Sequence, residues 1–177
     1  MKRVYVLLGG LYSIDGLATS AGMLTLVTRL KGIPNTVVKW FLWGDYQSCF
    51  RDANAADPGD QVILIGYSGG GWRICTVAGM MSKYKEDVAL LVAYDPSPSW
   101  NMSLPENILR PNVKKAVCYQ NESVMWIPFI GAIGGGKLVV GAGGPTVDVR
   151  PIKEQHLSVQ FDAHLHDQTV ALVSDLK

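Results

Sequence analysis

Apolar residues along this chain alternate between two spacings. Short runs of strand length, rich in β-branched and aromatic side chains, occur at 4–8 (VYVLL), 36–43 (TVVKWFLW), 62–66 (VILIG), 88–95 (VALLVAYD), 113–120 (VKKAVCYQ) and 146–152 (TVDVRPI). Between them, apolar positions recur at helical intervals over 17–32, which stops at Gly32, over 72–84, and over 163–176. In the last of these Leu165, Thr169, Leu172, Val173 and Leu176 form the apolar stripe, leaving His164 and His166 as exposed or half-buried positions. Strand and helix patterns therefore take turns. This predicts an α/β protein: a three-layer α/β/α sandwich around a mainly parallel sheet of about six strands. No repeat or low-complexity linker divides the 177 residues, so a single domain spanning 1–177 is expected.

A parallel sheet of this kind binds ligands beyond the carboxyl ends of its strands. Four places qualify: Gly9-Gly10-Leu11 after the first apolar run, Ser68 after the third, Asp95 after the fourth, and Gln120-Asn121-Glu122 after the fifth. Ser68 stands in Gly66-Tyr67-Ser68-Gly69-Gly70, a G-x-S-x-G pattern joining a strand to a helix. Small residues two places on either side allow the sharp turn that lifts a serine hydroxyl clear of the sheet. The same turn puts the Gly69 N–H at a helix N-terminus, where it can stabilise an oxyanion. The bland alternative is a serine capping the helix.

A serine needs a base to take its proton, and the base needs a carboxylate to orient it. Among His156, His164 and His166, the first lies in the loop between the last strand and the last helix, the place from which an imidazole reaches a strand-end serine; the other two remain alternatives. For the acid, Asp95 ends its strand and Glu122 follows the next one, and either could serve. Asp148 falls inside a strand pattern and is disfavoured.

Composition narrows the partners. With 48% hydrophobic and 18% charged residues and a net charge of +1, the chain is globular and carries no basic patch of the kind nucleic acid demands. Cys49, Cys75 and Cys118 are odd in number and lack C-x-x-C spacing, so they read as reduced core thiols, not as a disulfide framework or zinc site. No cofactor or metal is expected. Gly9-Gly10 interrupts the only leader-like run, and Pro128 and Lys137 interrupt the apolar stretch 124–144, so neither a cleaved signal nor a membrane span is expected and the protein is placed in the cytoplasm. That stretch reads as an apolar loop flanking a short strand, in which Trp126, Ile127, Phe129 and Ile130 could either wall a substrate pocket or pack against the sheet. Gly131 to Lys137 matches G-x-x-x-x-G-K, but Leu138 replaces the magnesium-binding hydroxyl and no helix pattern follows, so a phosphate-binding loop is rejected.

The chain order Ser68, Asp95, His156, together with LLGGL, GYSGGG, LLVAYDPSP, NVKKAVCYQ and HLSVQFDAHLHDQTV, resembles the α/β-hydrolase superfamily. It resembles more narrowly the small, lid-poor esterase-, lipase- or thioesterase-like hydrolases of bacteria and phages. The resemblance covers most of the chain and is most specific at GYSGG and at His156 with Asp162 six residues on. It implies Ser68 as nucleophile, His156 as base, Asp95 as orienting acid with Glu122 as the alternative, and backbone N–H groups of Leu11 and Gly69 as the oxyanion hole. The implied substrate is a small acyl ester or thioester; a non-catalytic binding member of the same fold is the other possibility.

Overall fold

The structure is a computed structural model describing residues 1–10, 20–97, 108–122, 125–127 and 131–177, with backbone alone at 125–127 and 131–133. Six parallel strands form the main sheet: β1 (Lys2–Leu8), β2 (Thr36–Leu42), β3 (Gln61–Tyr67), β4 (Leu90–Tyr94), β6 (Ala116–Asn121) and β10 (Val147–Ile152), in the order β10-β6-β4-β3-β1-β2. Small pairings join β5 (Ile108–Leu109) to β9 (Val139–Val140) and β7 (Met125–Ile127) to β8 (Gly131–Ile133). The helices are α1 (Ala21–Leu30), α2 (Tyr46–Asn54), α3 (Gly69–Lys83) and α4 (Ala163–Ser174). Each expected strand is present, with ends shifted by up to three residues. Leu17–Thr19, which the periodicity assigns to the first helix, lie outside the described residues.

Because β-strand side chains alternate between faces, each central strand supplies two cores. Val4, Val6 and Leu8 of β1 with Ile63 and Ile65 of β3 pack on Met23 and Leu26 of α1 and Leu165 and Val173 of α4. Tyr5, Leu7, Val62 and Leu64 face the other way, onto Cys49 of α2 and Ile74, Val77 and Met81 of α3. All three cysteines are buried and free. The helix α2 is not among the helical stretches expected above: its sequence, YQSCFRDAN, fully buries Cys49 and Ala53, four residues apart. Tyr46 and Phe50, half-buried against the same core, complete a helical i, i+3, i+4, i+7 spacing, but the stretch is only nine residues long and follows closely on the apolar run 36–43. Among the described residues, no helix is long and apolar enough to cross a membrane.

The chain starts one strand in from an edge of the sheet, moves outward to β2, returns past β1 to β3 and then proceeds the other way. Neighbouring strands β1 and β3 thus send their following connections to opposite faces, opening a crevice at their carboxyl ends. Gly9 and Ser68 flank that crevice.

Candidate active site

Ser68 sits between β3 and α3 at φ 55°, ψ −123°, a backbone conformation that a side-chain-bearing residue adopts only when its surroundings hold it there. Three hydrogen bonds do so. The Ser68 N–H donates to the Tyr94 carbonyl at 3.0 Å, and the Ser68 carbonyl accepts from the N–H groups of Ser97 and Trp72 at 3.0 and 3.2 Å. The flanking glycines are there because backbones approach closely. A Cβ on Gly66 would lie 2.4 Å from the Gly70 carbonyl oxygen, and one on Gly70 would lie 2.2 Å from that of Leu7. The turn therefore folds α3 directly onto the ends of β1 and β3. It puts the Gly69 N–H, beside Ser68, among the first donors of the helix, which have no partner within the helix itself.

The structure brings Ser68, His156 and Asp95 together in one hydrogen-bonded chain. His156 Nε2 lies 2.8 Å from Ser68 Oγ, and His156 Nδ1 lies 2.7 Å from Asp95 Oδ2. Asp95 is fully buried and His156 is 2% exposed. The other Asp95 oxygen, Oδ1, accepts backbone N–H bonds from Gly135 at 2.7 Å and Asn121 at 3.2 Å. A carboxylate occupied in this way takes its third bond from His156 as an acceptor, so Nδ1 carries the imidazole proton and Nε2 presents its lone pair to the serine hydroxyl.

Further contacts fix the imidazole. Tyr67, the residue before Ser68, donates its hydroxyl to the His156 carbonyl at 2.9 Å and stacks its ring on the imidazole, centroids 5.3 Å apart at 28°. Burial, and after it the charge of Asp95, pushes the Tyr67 phenol upward, keeping it a donor. The same two causes push the Cys118 thiol up to about 12. Asn121 Nδ2 donates to the Glu154 carbonyl at 2.6 Å, tying the histidine loop to the end of β6.

The remaining candidates lie elsewhere. Glu122 is exposed just past β6, while the acid position beside His156 is filled by Asp95. His164 is exposed on α4. His166 corrects the expectation of an exposed or half-buried side chain: it is 2% exposed, facing Tyr94 edge-on at 6.3 Å. Leu165, His166, Thr169 and Val173 form one helical stripe, so the packing surface rotates slightly from the one read off the aliphatic residues alone. Asp162 is the cap of α4, accepting the N–H groups of His164 and Leu165 at 2.7 and 3.1 Å. Leu11, Phe129 and Ile130, and the side chains of Trp126 and Ile127, lie outside the described residues. Of the site, sequence reasoning gave no role to Tyr67 and Gly135, and named Asn121 only as part of the strand end Gln120-Asn121-Glu122. Gly135 and Asn121 reach Asp95 through backbone N–H groups, which carry no residue signature; the one available hint was the run Gly134-Gly135-Gly136.

No protein-family model matches the chain, and no curated protein matches it in sequence. Solved structures do match in shape. The lin2722 gene product of Listeria innocua superposes with a TM-score of 0.64 at 11% identity, covering 100% of this chain and 96% of its own. ClbQ from the colibactin NRPS/PKS pathway gives 0.53 at 13%, covering 98% and 95%. Est1E from Butyrivibrio proteoclasticus gives 0.51 at 11%, covering 98% and 86%. At these identities the likeness is one of architecture, and with the six-stranded parallel sheet between helical layers it gives this chain an α/β-hydrolase type of fold.

Proposed function

We propose that the chain is a serine hydrolase that cleaves a carboxylic ester or thioester through an acyl-enzyme formed on Ser68. One observation carries the reading: the unbroken chain from Ser68 Oγ through the His156 ring to Asp95, at 2.8 and 2.7 Å, in a buried setting. Its strained serine and satisfied carboxylate are hard to account for as helix capping, since the Ser68 side chain makes no capping bond.

In this reading Ser68 Oγ attacks the acyl carbon while His156 Nε2 takes its proton. The C–O or C–S bond to the leaving group breaks, and the imidazolium returns the proton to the departing alkoxide or thiolate. Water then attacks the acyl-enzyme with its proton going to Nε2, releasing the carboxylic acid and restoring the Ser68 hydroxyl. Asp95 holds Nδ1–H throughout and stabilises the imidazolium. The Gly69 N–H, with that of Leu11 as the resemblance implies, receives the developing oxyanion. All three side chains belong to one domain formed by residues 1–177.

Incubation with an activated fluorophosphonate, followed by peptide mass spectrometry, tests the reading together with hydrolysis of short p-nitrophenyl esters and acyl thioesters. Covalent labelling confined to Ser68, lost in both Ser68→Ala and His156→Ala, is the expected result. Because the residues act as one unit, the double variant hydrolyses no more slowly than either single one. A folded protein that neither labels nor hydrolyses any of these probes would instead be a binding member of the fold.

A further inference from the structure

Resting on the acyl-enzyme reading of Ser68, we propose that Gly134 and Gly135 are positioning residues: their backbone closes over the Asp95–His156 hydrogen bond, fixes the carboxylate and keeps water from it. The segment following β8 is fastened at three points around Asp95. The Gly135 N–H donates to Asp95 Oδ1 at 2.7 Å, and the Gly136 N–H donates to the carbonyl of Pro96, the next residue after Asp95, at 2.9 Å. Gln120 Nε2 reaches the Gly135 carbonyl at 3.4 Å from the end of β6.

Gly134 explains why this segment must be glycine. It stands at φ 80°, and Gly135 at 66°, where a side chain is disfavoured. More telling is the space above it. A Cβ at position 134 would lie 2.4 Å from Asp95 Oδ2 and 2.8 Å from His156 Nδ1, the two atoms that bond to each other at 2.7 Å. The Gly134 Cα thus rests on the bond itself, and any side chain would wedge acid and imidazole apart. Gly143 offers the contrast. Its φ of 70° also favours glycine, yet a Cβ there would meet only Pro111 Cγ at 3.3 Å.

This arrangement has a chemical purpose. With Oδ1 held by two backbone donors, Oδ2 has one direction left in which to accept, toward Nδ1. A water in the place of the Gly134 Cα would compete for both atoms and let the ring turn away from Ser68. Misplacement of a reacting group by about 1 Å costs on the order of 10² in rate.

The test is steady-state hydrolysis of a p-nitrophenyl ester by wild type, Gly134→Ala, Gly143→Ala, Asp95→Asn and the Gly134→Ala/Asp95→Asn double variant, each with a thermal melt. Gly134→Ala is expected to lose about 10² in kcat with KM nearly unchanged, and to add no loss in the Asp95→Asn background. Gly143→Ala, strained in the same backbone region, is expected to keep its rate. A Gly134→Ala rate within threefold of wild type, or losses that simply multiply in the double variant, overturns the assignment. Should Gly134→Ala fail to fold, proton NMR of the wild type decides: the Nδ1 proton of His156 is expected to exchange slowly with solvent, and rapid exchange overturns the shelter. Activity surviving in Ser68→Ala would overturn the acyl-enzyme reading itself, whereas its loss beside a fully active Gly134→Ala overturns the glycine role alone.

Discussion

Replacing Asp95 by asparagine changes one atom, and the structure dictates what that atom does. Oδ1 accepts two backbone N–H groups, at 2.7 Å from Gly135 and 3.2 Å from Asn121, so the asparagine oxygen must occupy that side; turned round, its NH₂ would meet both donors. The NH₂ is then left 2.7 Å from His156 Nδ1, donor against donor. The imidazole resolves the conflict by moving its proton to Nε2. That nitrogen, 2.8 Å from Ser68 Oγ, no longer has a lone pair with which to accept the serine proton. The wrong tautomer costs on the order of 10⁴ in kcat, or about 5 kcal/mol of transition-state stabilisation. The fold should survive, because the asparagine keeps both backbone bonds. Initial rates on a short p-nitrophenyl ester, with circular dichroism to verify folding, give the number. Glu122→Gln, at an exposed position, is expected to stay within about twofold of wild type. An Asp95→Asn rate within tenfold of wild type, or a dead Glu122→Gln, would refute the tautomer argument.

Two further outcomes follow from α4. Burial lowers His166 from its ordinary 6.5, assisted by the positive charge of Arg29 and opposed by a backbone hydrogen bond at Gln160 and by Asp162 and Asp167. The unfolded chain therefore binds a proton that the folded one refuses, and stability falls as pH drops from about 6.5 toward the lower folded value. In urea titrations across that window, His166→Phe should lose up to about 1.4 kcal/mol per pH unit of this slope; an unchanged slope would exclude His166 as its source. Asp162→Ala removes the cap that accepts two α4 amides and should cost about 1 kcal/mol of unfolding free energy. Its esterase rate should hold, and a loss of rate without loss of stability would show that Asp162 does more than cap.

How much of this could be read from the residues depended on where the information resides. β3 and β4 are buried on both faces, so their hydrophobic runs and strand-end residues Ser68 and Asp95 stood out. Helix α2 did not, because its inward face, Tyr46, Cys49, Phe50 and Ala53, spans only nine residues and mixes two fully buried side chains with two half-buried ones. His166 departs from the expectation because a histidine can complete an apolar stripe when Tyr94 faces it edge-on, and hydrophobic pattern reading discounts it. The glycine run 134–136 was noticed only as a failed phosphate loop. Its contribution is made by N–H groups and by the absence of Cβ atoms, which matter only once β6, β8 and the histidine loop have converged. Choosing between Asp95 and Glu122 was a matter of three-dimensional reach that strand-end counting could not supply.

The hydrogen bonds of the site join distant parts of the chain. Asp95 and His156 are 61 positions apart, Ser68 and His156 88, and Asp95 and Gly135 40. Between them they bridge β3, β4, the segment after β8 and the loop after β10, so no fragment shorter than about half the chain holds Ser68 and His156 together. Each bond requires closing a long loop before it returns any stabilisation, and contacts of such sequence separation form late and slowly. If the proposed hydrolase reading holds, recovery of ester hydrolysis after dilution from denaturant is therefore expected to lag behind the helix signal. Helix signals report local winding that precedes it, whereas Ser68 meets His156 only when the β10 edge of the sheet has been joined through β6 and β4 to β3.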